Sequence, residues 1–283
     1  MRRYLMNVTA TGLLAVAAAA APAVIGPAQA ADVTPSFAGA PTGWTTDRYQ
    51  PPSFSDVGTF AGAPHTLGIT IDSSSNLTNR PAAYQYTFYN TQGMGTPLTG
   101  GVGDSVSARV YVPTSWLNPS NGARRTDMWL VVNDPGSSPD PRDFPIVGFT
   151  NNDTQGDGFV GFRAWDSLAG DWVNFGATVV PDAWNTLTIK DLPGNNFQYS
   201  VNGVVQDTIA GDATDTTFNS LLMQAYNFAD PSLSGDPVVN DYTAHWANAP
   251  VPEPITLSLL GAGLFGLGLA RRKRRSDNDH TGA

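Results

Sequence analysis

The chain has 283 residues and no cysteine, which excludes disulfides, thiol chemistry and thiolate metal sites. Its formal net charge is −9, and residues 31–250 hold 21 Asp against seven Arg and one Lys, which argues against nucleic acid or anionic membrane surfaces as partners of that region. Glu253 is the only glutamate, and Lys190 and Lys273 are the only lysines. Asp, Asn, Gly, Ser and Pro are turn formers, whereas Glu and Lys populate helix surfaces, so a β-rich chain with many short connections is predicted.

At the N-terminus, Arg2 and Arg3 precede an apolar stretch from Leu13 to Ala21, and Ala28-Gln29-Ala30 forms a small-x-small cleavage site. This is the build of a secretory signal peptide over 1–30, with the mature chain starting near Ala31. The first predicted strands are Leu67–Ile71 and Tyr84–Phe88. Ser105–Val112 alternates with period two and stops at Pro113. Met128–Val132 is a dense apolar strand with Asn133-Asp134-Pro135-Gly136 as turn chemistry behind it. Pro145–Thr150, Phe159–Trp165, Trp172–Phe175, Trp184–Ile189, Asn196–Val201, Val204–Thr208, Ser220–Phe228 and Asp241–Ala247 follow. Asn202-Gly203 between two apolar runs is the clearest hairpin signal, because both residues accept the positive φ of a type I′ turn. Trp129 and Trp184, each leading an apolar strand, are assigned to the core. No proline- or serine-rich linker divides residues 31–249, so they are predicted to form one all-β domain, a two-sheet jelly-roll sandwich.

Beyond it stand Val251-Pro252-Glu253-Pro254, an apolar run over 255–270, the block Arg271-Arg272-Lys273-Arg274-Arg275, and a polar tail over 276–283. The 16-residue apolar run would be about 24 Å long as a helix, against a bilayer core of about 30 Å. Snorkelling arginines or local thinning would close that gap, and the five cations would stay cytoplasmic. The three-part order over residues 250–275 resembles the PEP-CTERM sorting signal of bacterial surface proteins. The resemblance implies export to the cell envelope or matrix, an exosortase as sorting partner with Pro252-Glu253-Pro254 as its recognition motif, and an association with extracellular polysaccharide and biofilm. Prolines on both sides hold Glu253 extended, as an enzyme cleft needs.

A second resemblance rests on Asp182–Ile189 followed by Phe197–Gly203. A Trp-led strand and then a Tyr-x-Val-Asn-Gly hairpin resemble the central strands of concanavalin A-like and laminin G-like sandwiches. That fold hosts lectins, glycosidases and structural modules alike, so function must come from a site. Glycosidases of this kind generally use a glutamate pair, which one glutamate in a sorting motif cannot supply. An aspartate-dependent hydrolase or lyase remains as an alternative, although no Asp-x-Asp lies within a predicted strand. His65 and His245 are read as surface and packing histidines, and no Gly-x-Ser-x-Gly elbow accompanies them. No catalytic residue is assigned.

The loop carrying Asn151, Asp153, Gln155 and Asp157 gathers oxygen donors around glycines and is a candidate calcium site, though Asn, Asp and Gly also make metal-free turns. No cofactor is required. Alternation places Val160, Phe162 and Ala164 on the core side of one strand and Gly161, Arg163 and Trp165 on the other. It sets Leu222, Gln224, Tyr226 and Phe228 against Met223 and Ala225. A sugar stacks its apolar face on rings while guanidinium and amide groups take its hydroxyls. Arg163, Trp165, Trp172, Gln224 and Tyr226 are therefore the candidate binding patch. The expectation is a non-catalytic exported sandwich that contacts polysaccharide; the third alternative is a surface protein with no small ligand.

Overall fold

Period-two alternation along strands builds two faces, and two such sheets bury one face each against the other. The structure is a computed structural model that describes residues 31–72, 80–85, 90–133, 143–152, 158–211, 217–227 and 241–250. The predicted signal peptide, PEP motif, apolar run, basic block and tail lie outside the described residues, as do Asp153, Gln155, Asp157 and Phe228. Among the described residues no helix is long and apolar enough to cross a membrane.

The first sheet runs in the order β1 (Thr45–Thr46), β4 (Thr91–Pro97), β13 (Thr217–Tyr226), β6 (Arg125–Asn133), β7 (Ile146–Thr150), β8 (Gly161–Asp166), β9 (Asp171–Asn174). The second runs β12 (Val204–Ala210), β11 (Asn196–Val201), β10 (Ala183–Leu192), β5 (Ser105–Val112), β14 (Tyr242–Asn248), β3 (Leu67–Ile71), β2 (Ser53–Asp56). Every strand pairing is antiparallel. The chain is thus an all-β, two-sheet jelly-roll sandwich.

Inner faces supply the core. Leu187 and Ile189 of β10 and Phe197, Tyr199 and Val201 of β11 meet Met128, Leu130 and Val132 of β6 and Leu221, Met223 and Ala225 of β13 in one apolar cluster. Two β14 side chains cross it. Trp246, fully buried, donates its indole N–H to Thr126 Oγ1 at 2.8 Å. The Tyr242 hydroxyl lies 2.7 Å from the Arg125 carbonyl and 2.8 Å from that of Tyr226, and burial raises its pKa well above the usual phenol range. The β11–β12 hairpin closes as its sequence predicts, with φ of 50° at Asn202 and 78° at Gly203.

Three expectations need correction. The predicted strand Tyr84–Phe88 cannot begin at Tyr84, which ends the 3-10 turn Ala82–Tyr84, and its remainder from 86 lies outside the described residues. Strands β1, β2 and β4 were not expected, and β4 reads Thr-Gln-Gly-Met-Gly-Thr-Pro, a turn-like composition held extended by pairing with β13 on one side and β1 on the other. Trp129 and Trp184 do not enter the inter-sheet core. Each stands on the outer face of its sheet, because the inward positions of those strands are taken by Met128 and Leu130 and by Leu187 and Ile189.

Truncating the core-crossing indole should be the costliest single change in the fold. Trp246→Ala is expected to lower unfolding free energy by about 3–5 kcal/mol, read from the shift of a urea denaturation curve.

Candidate functional site

Outward-facing residues of the first sheet fall into rows set by strand register. One row passes through Gly93, Gln224, Asp127, Gly148, Arg163 and Asn174. The next passes through Gly95, Leu222, Trp129, Ile146 and Trp165, with Trp172 paired to Trp165 on β9. Polar groups therefore run under one side of the face and aromatic groups along the other.

Above them opens a cleft of about 240 Å³, lined among the described residues by Arg48, Asn90, Thr91, Arg125, Trp129, Phe144, Ile146, Trp165, Trp172 and Tyr226. Trp165 and Trp172 meet edge to face with ring centroids 5.2 Å apart, and with Trp129, Val131, Ile146 and Leu222 they form an apolar cluster separate from the core. Phe144 stands on the rim, 37% exposed. A second depression of about 500 Å³ lies across β1, β4 and β13, lined by Thr45, Thr46, Asp47, Ser220 and Leu222 among others. Arg48 belongs to the first hollow and its neighbour Asp47 to the second.

The charged groups are held from below. Arg125 Nε meets Asp127 Oδ2 at 2.7 Å, both residues buried, and the same guanidinium stands 4.5 Å from the Trp172 ring and 4.7 Å from that of Tyr226. Such a pair attracts strongly in a low-dielectric site but has lost its water, so its value is in fixing geometry more than in stability. Arg163 is 1% exposed and stands 4.1 Å from the Trp172 ring. Arg48 bonds Thr91 Oγ1 at 2.6 Å, pairs with Asp47 at 3.3 Å and stands 5.0 Å from Trp129. Asn90 donates to the Tyr226 hydroxyl at 2.6 Å and accepts from Arg80 at 3.1 Å, which fixes the ring's tip. Gln224, fully buried, donates to Asp47 Oδ2 at 3.2 Å. Burial raises the Asp47 pKa, partly offset by Arg48 and by that hydrogen bond.

The structure thus brings Trp165, Trp172 and Tyr226 to one cleft, with Arg163 beneath Trp172 and Gln224 in the floor row rather than in the lining. Sequence reasoning missed Arg48, Arg125 and Trp129. A signal existed: Arg125, Asp127 and Trp129 share one side of β6, and two charges there are out of place on a core face. Of the four candidate calcium ligands, only Asn151 is described. Its amide donates to the carbonyls of Trp116 and Gly122 and its Oδ1 accepts from the Arg124 amide, a structural role between loops.

The candidate bases are elsewhere. His245 stacks face to face on Phe60, 3.8 Å between centroids, on the outer face of the second sheet, and burial lowers its pKa. His65 is exposed and bonds Asp56 at 3.0 Å. Trp184 joins Phe60 and Tyr111 there, its indole bonded to the Ala61 carbonyl at 3.0 Å.

Comparison with known proteins adds the class and the address. Residues 250–275 match the PEP-CTERM protein-sorting motif, so the chain carries an envelope-sorting signal of an exported protein. The sandwich is similar to solved concanavalin A-like jelly rolls. One is a glycoside hydrolase family 16 endo-glucanase from Bacteroides ovatus, 14% identical over 72% of this chain and 92% of that one, with a TM-score of 0.43. Another is the cellulose-induced protein Cip1, 13% identical over 73% and 89%, TM-score 0.44. A third is the carbohydrate-binding module CBM66 from Bacillus subtilis, 13% identical over 77% and 95%, TM-score 0.37. No curated protein matches the chain.

The floor depends on glycine. A Cβ on Gly148 would collide with Asp127 Oδ1 and also with the β6 backbone at the Thr126 carbonyl and the Asp127 Cα, so a side chain fits there only if the strands part. Gly148→Ala is expected to cost about 1–3 kcal/mol of stability in denaturant titration and to change tryptophan emission, since Arg125 and Trp172 move with Asp127.

Proposed function

We propose that the exported region, residues 31–249, is a non-catalytic module that holds a segment of extracellular polysaccharide in the cleft on the outer face of the first sheet. One observation carries the reading: indole and phenol rings wall the cleft, guanidinium groups reach it, and no carboxylate lines it among the described residues. Rings take the apolar face of a sugar, and Arg48, Arg125 and Asn90 offer donors for its hydroxyls. The neighbouring depression gives a longer chain room to continue across the sheet. Both arginines already carry their own aspartate partners, which suits an uncharged glycan better than a polyanion. The sorting motif supports this reading, since it belongs to an exported, envelope-sorted protein, and the same proposal takes an exosortase as processing partner and the apolar run 255–270 as a membrane anchor. Calcium at Asn151, Asp153, Gln155 and Asp157 belongs to the same proposal only as an accessory.

Catalysis through aspartates is the second reading, favoured by Asp47, whose carboxyl burial shifts toward the neutral form. A hydrolytic acid or base must reach the glycosidic oxygen within hydrogen-bond distance. Asp127 is buried under the cleft and engaged by Arg125, which leaves it poorly placed for that role.

Titration of the purified protein with a panel of neutral and acidic oligosaccharides, followed by tryptophan fluorescence and calorimetry, tests both readings. Trp165→Ala and Trp172→Ala should each weaken binding at least about tenfold, roughly 1.4 kcal/mol, while Trp184→Ala on the opposite sheet leaves it unchanged. Binding by no glycan in the panel would defeat the proposal. Release of reducing ends that disappears in Asp47→Asn or Asp127→Asn would replace it with the hydrolase.

A further inference from the structure

At one end of the second sheet, residues at the start of the described chain zip onto β5. Ser105 donates its amide to the Ala31 carbonyl at 2.9 Å, the Val33 amide donates to the Ser105 carbonyl at 2.9 Å, and Asp32 forms a parallel bridge with Ser105. Thr34 Oγ1 then donates to the Ser107 carbonyl at 2.6 Å. This register delivers the backbone nitrogen of Ala31 to Asp104 Oδ1, 3.2 Å away.

Asp104 has a buried acidic neighbour. Asp191 on β10 is fully buried, neither of its carboxylate oxygens has a hydrogen-bond partner among the described residues, and its N–H donates to the Asp104 carbonyl at 3.0 Å. Burial first, and Asp104 second, push the Asp191 carboxyl up to about 6. No Lys or Arg forms a salt bridge with either aspartate among the described residues. Lys190, next in sequence to Asp191, pairs with Ser105 on the outer side of the sheet, as the alternation of β10 requires. Two aspartates therefore share one end of the sandwich without a side-chain cation bridged to either among the described residues. An uncompensated buried carboxylate is costly.

The sequence places a small-x-small cleavage site at Ala28-Gln29-Ala30. Cleavage there changes one atom's chemistry at this spot: the Ala31 nitrogen stops being a neutral amide and becomes an ammonium. We infer that removal of the signal peptide completes the fold, the new α-ammonium of Ala31 forming an ion pair with Asp104 that supplies the missing positive charge beside Asp191. The hydrolysis consumes one water across the Ala30–Ala31 peptide bond, leaving a carboxylate on Ala30 and the protonated amine on Ala31. The precursor lacks that pair and is the less stable form, which suits a chain that must cross a membrane before folding. The inference rests on the cleavage position and is independent of any glycan.

The groups around the new charge are Asp32 on its own segment, Asp104 at the head of β5, and Asp191 and Lys190 on β10. An α-amino group gaining a carboxylate partner has its pKa raised above the ordinary value of about 7.7–8.0. Its contribution is fully present below that ordinary value and is lost as pH rises through the higher folded one.

The test compares the protein secreted and processed by its own export route with the same chain retaining Ala28-Gln29-Ala30, both kept in detergent, after intact-mass analysis of the processed N-terminus. Processed protein beginning at Ala31 should melt about 2–4 °C above the extended form near pH 7, with the gap closing toward pH 10. Selective acetylation of the α-amine should produce the same loss as the extension, and Asp104→Asn should erase the difference between the two forms. A mature chain that begins elsewhere, coincident melting of the two forms, or a gap that survives both acetylation and Asp104→Asn would each overturn the inference. Acetylation needs no mutant to fold, so the outcome does not hinge on the Asp104 variant.

Discussion

Two side chains of β14 reach across the core and hydrogen-bond the opposite sheet, and the outer face of that sheet depends on them. Tyr242 serves the carbonyls of Arg125 and Tyr226, and Trp246 serves Thr126. Arg125 and Tyr226, at the ends of β6 and β13, line the cleft with their own side chains, and Thr126 follows Arg125 on the core side of β6. The contacts are directional and lie where water cannot compete, so they fix the height and twist of the strands. Apolar contact alone would let the sheets slide. Hydrogen bonds to named backbone atoms do not.

From that fixed frame the cleft follows by register. Gln224, Asp127 and Arg163 lie in one row because β13, β6, β7 and β8 pair without a shift at those positions. Glycine at 148 lets the Asp127 carboxylate lie flat over β7, and this leaves Arg125 free to stand between Trp172 and Tyr226. The buried ion pair is expensive in desolvation and would be a poor choice for stability alone. Its effect is to hold a positively charged, planar donor beside aromatic rings at a fixed spot.

The two outer faces differ in kind. On the second sheet, the aromatic residues satisfy one another: Phe60 stacks on His245 and meets Trp184 and Tyr111 edge-on, while the indole of Trp184 bonds Ala61. Arg109 stands 5.4 Å from Trp184 and bonds the Asn248 carbonyl at 2.8 Å. That cluster pins the loop around residues 57–66 and the end of β14. On the first sheet, rings of similar number enclose a hollow. The distinction between a staple and a site is one of spacing, which composition does not carry.

The sequence alone determined the class of secondary structure, the hairpin at Asn202-Gly203, the sidedness of β8 and β13, and the sorting motif. Each follows from local chemistry: period-two alternation, a backbone that tolerates positive φ, or a run of residue types in order. It also chose three of the cleft's aromatic residues: alternation sorted the strands of Trp165 and Tyr226, and Trp172 was added to them as a further ring. It misplaced Trp129, since a strand buried on both faces shows no alternation of exposure, and β6 is such a strand. It misplaced Trp184 by reading an apolar residue as core although the alternation of β10 sets it on the outer face. It passed over β4, whose glycines and threonines look like a turn until β13 pairs with them. Only the tertiary structure decided which strands are neighbours, and hence that Arg125 and Arg48, far apart in the chain, stand in one cleft. Register and pairing are properties of the whole sheet, set by the joint burial of many side chains, and no single segment encodes them.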